Sequence, residues 1–499
     1  MTRRPALLVA AVALLGSTLT TLPAQAGQTT SGRPLSPPQA QRALVAAESA
    51  LDPEPDERPG RDTTLALRDL ALAVPTLEGA ALRRARALLA RPSDQTQQAC
   101  DDATCVHYRA GSVAAGYPEE VLATLQQVRQ AYLEGGYRPP RPDGAEGGDS
   151  RFDVYLEDTG ADRTYGYCVP TQVVEGRYDT SAYCVLDDDF SATQFPTNTP
   201  HENLQVTTAH EYFHAVQFGY DYGEDRWLLE ATATWAEDEL YPDVDDNRQY
   251  LSRGPLGRPG VPLDVFEADG SHQYGAWIFF RYLSERVVRT TQGVLPTIVR
   301  EIWDRLDARA GAPDDHSVQG ISRVLTAHGT SLRATFGRFA DGNRRPTRTY
   351  AEGSALRYPT AKPSRAVTLK PSRLSSGRIT RTVDHLSSST IRLVPSSSMK
   401  SSRYRVSIRL DLDSGSRAAA VVSTTMRSGS VSTRTVTLSS KGDGAVSVPF
   451  SARTVHRVEV TVANASTRYS CWRGTDYSCS GVPSDDDKLY RVTAKAYKR

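Results

Sequence analysis

A change of hydrophobic period near Arg348 narrows the fold more than any other feature of the chain. Beyond it the composition turns to Ser, Thr, Val and Arg, and Tyr404, Val406, Ile408, Leu410 and Leu412 alternate with Arg405, Ser407, Arg409 and Asp411. That two-residue period belongs to half-buried strands. It returns at Val458-Val460-Val462 and Tyr490-Val492-Ala494-Ala496, between Gly/Ser/Asp turns. An antiparallel β-sandwich is expected over 371–499, after a proline-containing linker at 349–370. Ahead of the change, helical spacing is mixed with short alternating runs, which predicts an α+β unit over 106–348. With 499 residues, two or three domains are expected.

The N-terminus has the order of an export leader. Arg3 and Arg4 precede an apolar run from Pro5 to about Leu15, and a small-residue segment ends in Ala24-Gln25-Ala26. Residues 1–26 are therefore expected to be a signal peptide cleaved after Ala26. The run is too short for a membrane anchor and is broken at Gly16-Ser17-Thr18. A secreted, extracellular chain follows, with no membrane association after cleavage. The 59 basic and 58 acidic residues leave no net field to attract nucleic acid. The cysteines come as near neighbours: Cys100 with Cys105, Cys168 with Cys184, and Cys471 with Cys479. Loop closure favours this local set, although the sequence does not select the connectivity. An oxidising destination favours disulfides over cysteine-bound metal.

Residues 27–105 place Leu67, Leu70 and Val74, then Leu82, Ala85 and Leu89, at helical spacing, with Pro75 between two helices. This region is either a propeptide removed on maturation or a helical subdomain that stays attached. In the α+β unit, helices are expected at Pro118–Leu133, Leu204–Phe218, Trp227–Leu240, Tyr274–Val287, Leu295–Leu306 and Ile321–Phe339. Strands are expected at Arg151–Leu156 and Tyr183–Leu186. The runs Asp187-Asp188-Asp189 and Asp485-Asp486-Asp487 lack the spaced ligands of a calcium loop and read as solvated turns. Asn464-Ala465-Ser466 has the form of a glycosylation acceptor.

One string carries chemistry: Thr208-Ala209-His210-Glu211-Tyr212-Phe213-His214-Ala215. Residues four apart on a helix share a face, so His210 and His214 can present imidazoles to one metal ion. Glu211 is displaced round the helix and can reach a water beside the ion without ligating it. Val206, Ala209, Phe213 and Val216 supply the apolar stripe that such a helix needs. Beyond a turn at Gly219–Asp225, the helix Trp227–Leu240 would return antiparallel and bring Glu230 towards the histidines. Two histidines and one glutamate leave the fourth position of a zinc site for water. Glu237, seven residues on, is a substitute ligand or a partner that orients a ligating imidazole.

The strings His210-Glu211-Tyr212-Phe213-His214 and Trp227-Leu228-Leu229-Glu230-Ala231-Thr232-Ala233 resemble those of the gluzincin peptidases. They are closer still to a group of uncharacterised secreted bacterial metalloproteases, over about residues 60–345. Ala231 departs from the glycine usual there. The resemblance implies a zincin-like core and zinc as cofactor. It also implies hydrolysis of a peptide or protein substrate by a metal-activated water, with Glu211 as general base. It further points to Tyr274, with His272 as rival, as the donor that stabilises the tetrahedral intermediate. The C-terminal domain would then be free to bind a protein or carbohydrate surface. Two other functions fit the same residues: a secreted binding or adhesive protein with an inactive zinc core, and a zinc hydrolase acting on a non-peptide bond.

Overall fold

The computed structural model describes residues 35–53, 63–268 and 270–499; the expected leader, 1–26, lies outside them. Three helices come first: α1 (Pro37–Leu51), α2 (Thr63–Ala73) and α3 (Gly79–Leu88). Helix α1 was not expected; it starts at a capping box formed by Ser36 and Gln39 with Pro37 at its first position. A short 3-10 turn over Val74–Thr76, containing Pro75, separates α2 from α3.

A five-stranded sheet follows, built from β1 (Gln97–Cys100), β2 (Thr104–Tyr108), β3 (Phe152–Glu157), β4 (Gly166–Thr171) and β5 (Ser181–Asp187), with α4 (Tyr117–Glu134) crossing between β2 and β3. Its order is β1-β2-β3-β5-β4. The three central strands are parallel and both edges antiparallel. Disulfides Cys100–Cys105 and Cys168–Cys184 close β1 onto β2 and β4 onto β5. The sheet is covered on both faces, as parallel strands require. Alternate residues Tyr155, Val169, Tyr183 and Val185 pack under α1–α3. Their neighbours Val154, Leu156, Cys168, Cys184 and Leu186 belong to the larger core on the other side. The β1–β2 hairpin spans the expected boundary at 105, so the sheet draws on residues from both sides of it.

The remaining α-helices of this body are α5 (Pro200–Asp221), α6 (Arg226–Leu240), α7 (His272–Gly275), α8 (Trp277–Arg286), α9 (Thr297–Trp303), α10 (Ser317–Ala327), α11 (Leu332–Gly342) and the single turn α12 (Pro346–Thr349), with a small hairpin of β6 (Thr291–Gln292) and β7 (Leu295–Pro296) ahead of α9. The single helix expected over 321–339 is two. Gly329, at φ +70°, takes the left-handed turn that ends α10. The helix expected from Leu295 begins only at Thr297, because Leu295-Pro296 pairs in the hairpin.

The end of the chain is strand-rich: β8 (Arg365–Leu369), β9 (Ser375–Val383), β10 (Ser387–Pro395), β11 (Tyr404–Asp411), β12 (Ala418–Met426), β13 (Val431–Thr435), β14 (Asp443–Pro449), β15 (Val455–Asn464) and β18 (Lys488–Lys498), with the minor pair β16 (Tyr469–Ser470) and β17 (Val482–Pro483). Sheets of order β13-β12-β15-β10-β8 and β14-β11-β18-β9 share one apolar core that includes Leu393, Ile408, Val422, Val460 and Val492. Strand β8 lies inside the expected linker, where it pairs parallel with β10 as an edge. The two regions are joined by more than a tether. Leu263, Phe266 and Ser388 donate backbone N–H groups to Leu386, Asp476 and Pro259 across the join. Gly337 of α11 leaves room for Ala419, whose Cβ would stand 2.7 Å from any added Cβ.

Two local expectations fail here. Asp187 is buried and caps the backbone N–H groups of Gly160, Asp189 and Phe190, and Asp485 is buried against the Ser466 hydroxyl. Asn464 is buried too, its amide donating to the Asp485 and Val383 carbonyls, so it presents no acceptor for a glycan. Among the described residues, no helix is long and apolar enough to cross a membrane.

Candidate metal centre

Helix α5 opens on a capping box: Thr199 and Glu202 exchange hydrogen bonds with each other's backbone N–H, and Pro200 takes the first position. It lies across the sheet with nearly all its length buried. A helix enclosed on every side must satisfy its polar side chains internally, since an unpaired buried polar group costs several kcal/mol. Their partners therefore define the site. Helix α6 returns beside α5 after the turn at 222–225, and its buried residues include Glu230, Thr232 and Glu237.

His210, His214 and Glu230 converge. Nε2 of His210 lies 3.0 Å from Nε2 of His214 and 3.2 Å from Oε2 of Glu230. Nε2 of His214 is 3.5 Å from Oε1 of Glu230. Donors held about 2.0–2.1 Å from a tetrahedral ion stand about 3.3 Å apart, so this triangle has the right size. The outer ring nitrogens are already engaged. Nδ1–H of His210 donates to Glu237 Oε1 at 2.5 Å, and Nδ1–H of His214 donates to Gln217 Oε1 at 2.7 Å. When neutral, each ring so held turns the lone pair of its Nε2 inward, the tautomer that a metal ligand needs; for His210 this means giving up its second ring proton as an ion enters. Gln217 is fixed in turn by donating to the Leu229 carbonyl and the Thr232 hydroxyl, both at 3.0 Å.

The electrostatics follow the packing. Burial lowers the His214 imidazole to about 4, which leaves it neutral and open to coordination. Burial alone would also depress His210, but the carboxylates of Glu230 and Glu237 outweigh it and hold His210 well above its usual value. Burial opposes ionisation of Glu230 as well; His214, His210 and the Tyr274 hydroxyl prevail and keep it below the ordinary carboxylate range. Burial pushes Glu211 up to about 7, only partly offset by His210. A carboxylate poised near neutrality suits proton transfer at ordinary pH.

Of the other residues singled out in the sequence, Tyr274 is part of this cluster and His272 is not. The Tyr274 hydroxyl bonds Glu230, and its ring lies 6.2 Å from that of His210. His272 is buried elsewhere in α7, with Nδ1–H donating to the Arg253 carbonyl at 3.0 Å. Gly275 allows the placement of Tyr274: a Cβ there would come within 2.5 Å of the Gly254 nitrogen. Glu237 orients His210 and does not join the triangle. Gln217 was not anticipated, though its place three residues after His214 put it on the same helix face. His210 at 9 %, Glu211 and Glu237 at 7 % and Tyr274 at 5 % keep some exposure, whereas His214 and Glu230 lie deeper. A cavity of about 890 Å³ opens beside the turn from α5 to α6, between Arg68, Tyr222, Trp227 and Tyr477, and is not lined by the triangle.

Compared with models of protein families and with curated proteins, the chain matches neither a family model nor a curated protein.

Proposed function

We propose that the chain is a secreted zinc peptidase with a zincin-like core of the gluzincin type. In this reading His210, His214 and Glu230 hold the ion, and Glu211 is the general base. The observation that carries it is the triangle of donor atoms, with separations of 3.0, 3.2 and 3.5 Å and both outer imidazole nitrogens already bonded. Two histidines and a carboxylate are a ligand set suited to zinc. When bound, the ion supplies Lewis acidity, polarising a carbonyl and acidifying water.

The residues of the chain do the rest. Glu211 accepts a proton from water and later delivers it to the leaving amine. Tyr274 turns its single hydroxyl hydrogen from Glu230 to the developing oxyanion, a stronger interaction in an enclosed site than in water. Glu237 and Gln217 hold the imidazoles in register. His210, Glu211, Glu237 and Tyr274 retain some exposure, so substrate enters on their side while His214 and Glu230 form the floor. The six paired cysteines accord with an oxidising destination.

Incubating the purified protein with a denatured protein substrate, with and without a chelator, tests the assignment. Cleavage should stop with chelator and return with added zinc. Cleavage that ignores the chelator, or zinc-loaded protein without cleavage, would refute it.

A further inference from the structure

One contact in the metal centre comes from outside the region that carries the motif. Thr64, in the first turn of α2, donates its hydroxyl to Oε2 of Glu211 at 3.0 Å. The Thr64 hydroxyl oxygen itself accepts the backbone N–H of Cys168, in strand β4, at 3.0 Å. This chain has one direction. A backbone amide only donates, so it occupies a lone pair of the hydroxyl, and the hydroxyl hydrogen is left for the carboxylate.

Both ends of the chain are anchored. Strand β4 is tied to β5 by Cys168–Cys184, and the two sulfurs lie 2.9 and 3.6 Å from the Glu211 carbonyl oxygen. Helix α2 is wedged between two cores, with Leu65 and Ala71 in the larger and Leu67 and Leu70 in the other. Arg68, one turn beyond Thr64, donates to the Tyr222 and Glu224 carbonyls in the turn between α5 and α6. The same helix therefore touches Glu211 and the connection between the two ligand-bearing helices.

We propose that Thr64 is a positioning residue for Glu211, an inference that rests on the peptidase reading above. By engaging Oε2 it sets the carboxylate plane and leaves Oε1 for water. It follows that α2 belongs to the working site and stays with the mature chain. Removal of α1–α3 would also strip the cover from Tyr155, Val169, Tyr183 and Val185 on the sheet, exposing the kind of apolar patch that drives association.

The test uses the full secreted protein carrying Thr64→Val or Thr64→Ser. The valine variant should lose about tenfold in kcat with KM nearly unchanged, the cost of a loosened reacting group. Its zinc content should stay at the wild-type level, and the serine variant should recover the rate. N-terminal sequencing of the active species should find a start before Thr63. Unchanged or increased kcat in the valine variant, or an active species that starts beyond Ala73, would overturn the proposal. A readout without catalysis separates this from the peptidase reading. In the metal-free protein, the thermal shifts of Thr64→Val and Glu211→Ala should be non-additive, the double variant losing less than the two singles together. Additive shifts would also overturn it. Coupling in a wild type that cleaves no peptide would sink the peptidase reading alone.

Discussion

Of the buried clusters among the described residues that bring histidine against carboxylates, two are built in opposite ways. At the join of the helical body and the strand-rich region, His385 uses both ring nitrogens: Nε2 faces Asp264 at 2.8 Å and Nδ1 faces Asp486 at 2.6 Å. Asp264 takes further hydrogen bonds from the Tyr469 hydroxyl and the Ser478 amide. Every donor has its acceptor, and one imidazolium is shared between two carboxylates. Between α5 and α6 the arrangement is unclosed. Two imidazole nitrogens and a carboxylate face one another, three lone-pair carriers with only protons or a cation to reconcile them. Complete pairing fastens two parts of a fold, whereas converging acceptors make a seat for a positive ion.

The largest effects should come from breaking the unclosed cluster. Glu211→Gln should lower turnover about 10³-fold while zinc content stays at the wild-type level, because a base is lost and no ligand is. His214→Ala should lose the metal itself. Metal analysis of both purified variants separates the two roles, and equal zinc content would break the assignment of His214.

Breaking the closed cluster should cost stability and spare the metal. His385→Ala leaves the Asp264 carboxylate buried without its cation, a change worth about 3–5 kcal/mol, measurable by denaturant unfolding. Zinc per folded molecule should not change; if it falls, the two clusters are not independent. A smaller effect is expected from Glu237→Gln, which loosens the hold on His210 and should weaken zinc affinity about 10–100-fold, read by competition with a chromogenic chelator.

The closed cluster also carries a pH dependence of stability. The carboxylates beside His385 outweigh burial and raise it to about 10, so its contribution is fully present below its ordinary value near 6.5 and is lost as pH rises through 10. The His385 charge likewise outweighs burial at Asp264 and holds it at about 2, so its share is present above about 4 and fades as pH falls through 2. The unfolding midpoint should decline on the alkaline side, and His385→Ala should flatten that decline.

Much of the site was legible because its spacing is local. The turn from one helix to the next is short enough that His210, His214 and Glu230 could be read together, and the β11 alternation announced its strand. What escaped depends on distant packing. Thr64 meets Glu211 across 147 positions, and no pattern near either residue signals it. The choice between His272 and Tyr274 turned on the close approach of Gly254 to Gly275, a tertiary fact. Helix α1 opens within the Pro/Gln-rich run Pro37-Pro38-Gln39-Ala40-Gln41, which masks a face of Ala40, Leu44 and Ala47 that packs with α2 and α3. The supposed linker contained β8, whose alternation is too short to stand out.

The indole of Trp227, at the start of α6, donates to the Ser478 hydroxyl 251 positions away, and neighbouring Arg226 pairs with Asp476. A ribosome delivers the chain from its N-terminus, so the helix bearing Glu230 emerges long before this brace exists. This brace on α6 therefore waits for nearly the whole polypeptide. A chain cut before Asp476 keeps the histidines and the glutamate, with Gln217 and Glu237 beside them, but lacks this outer support.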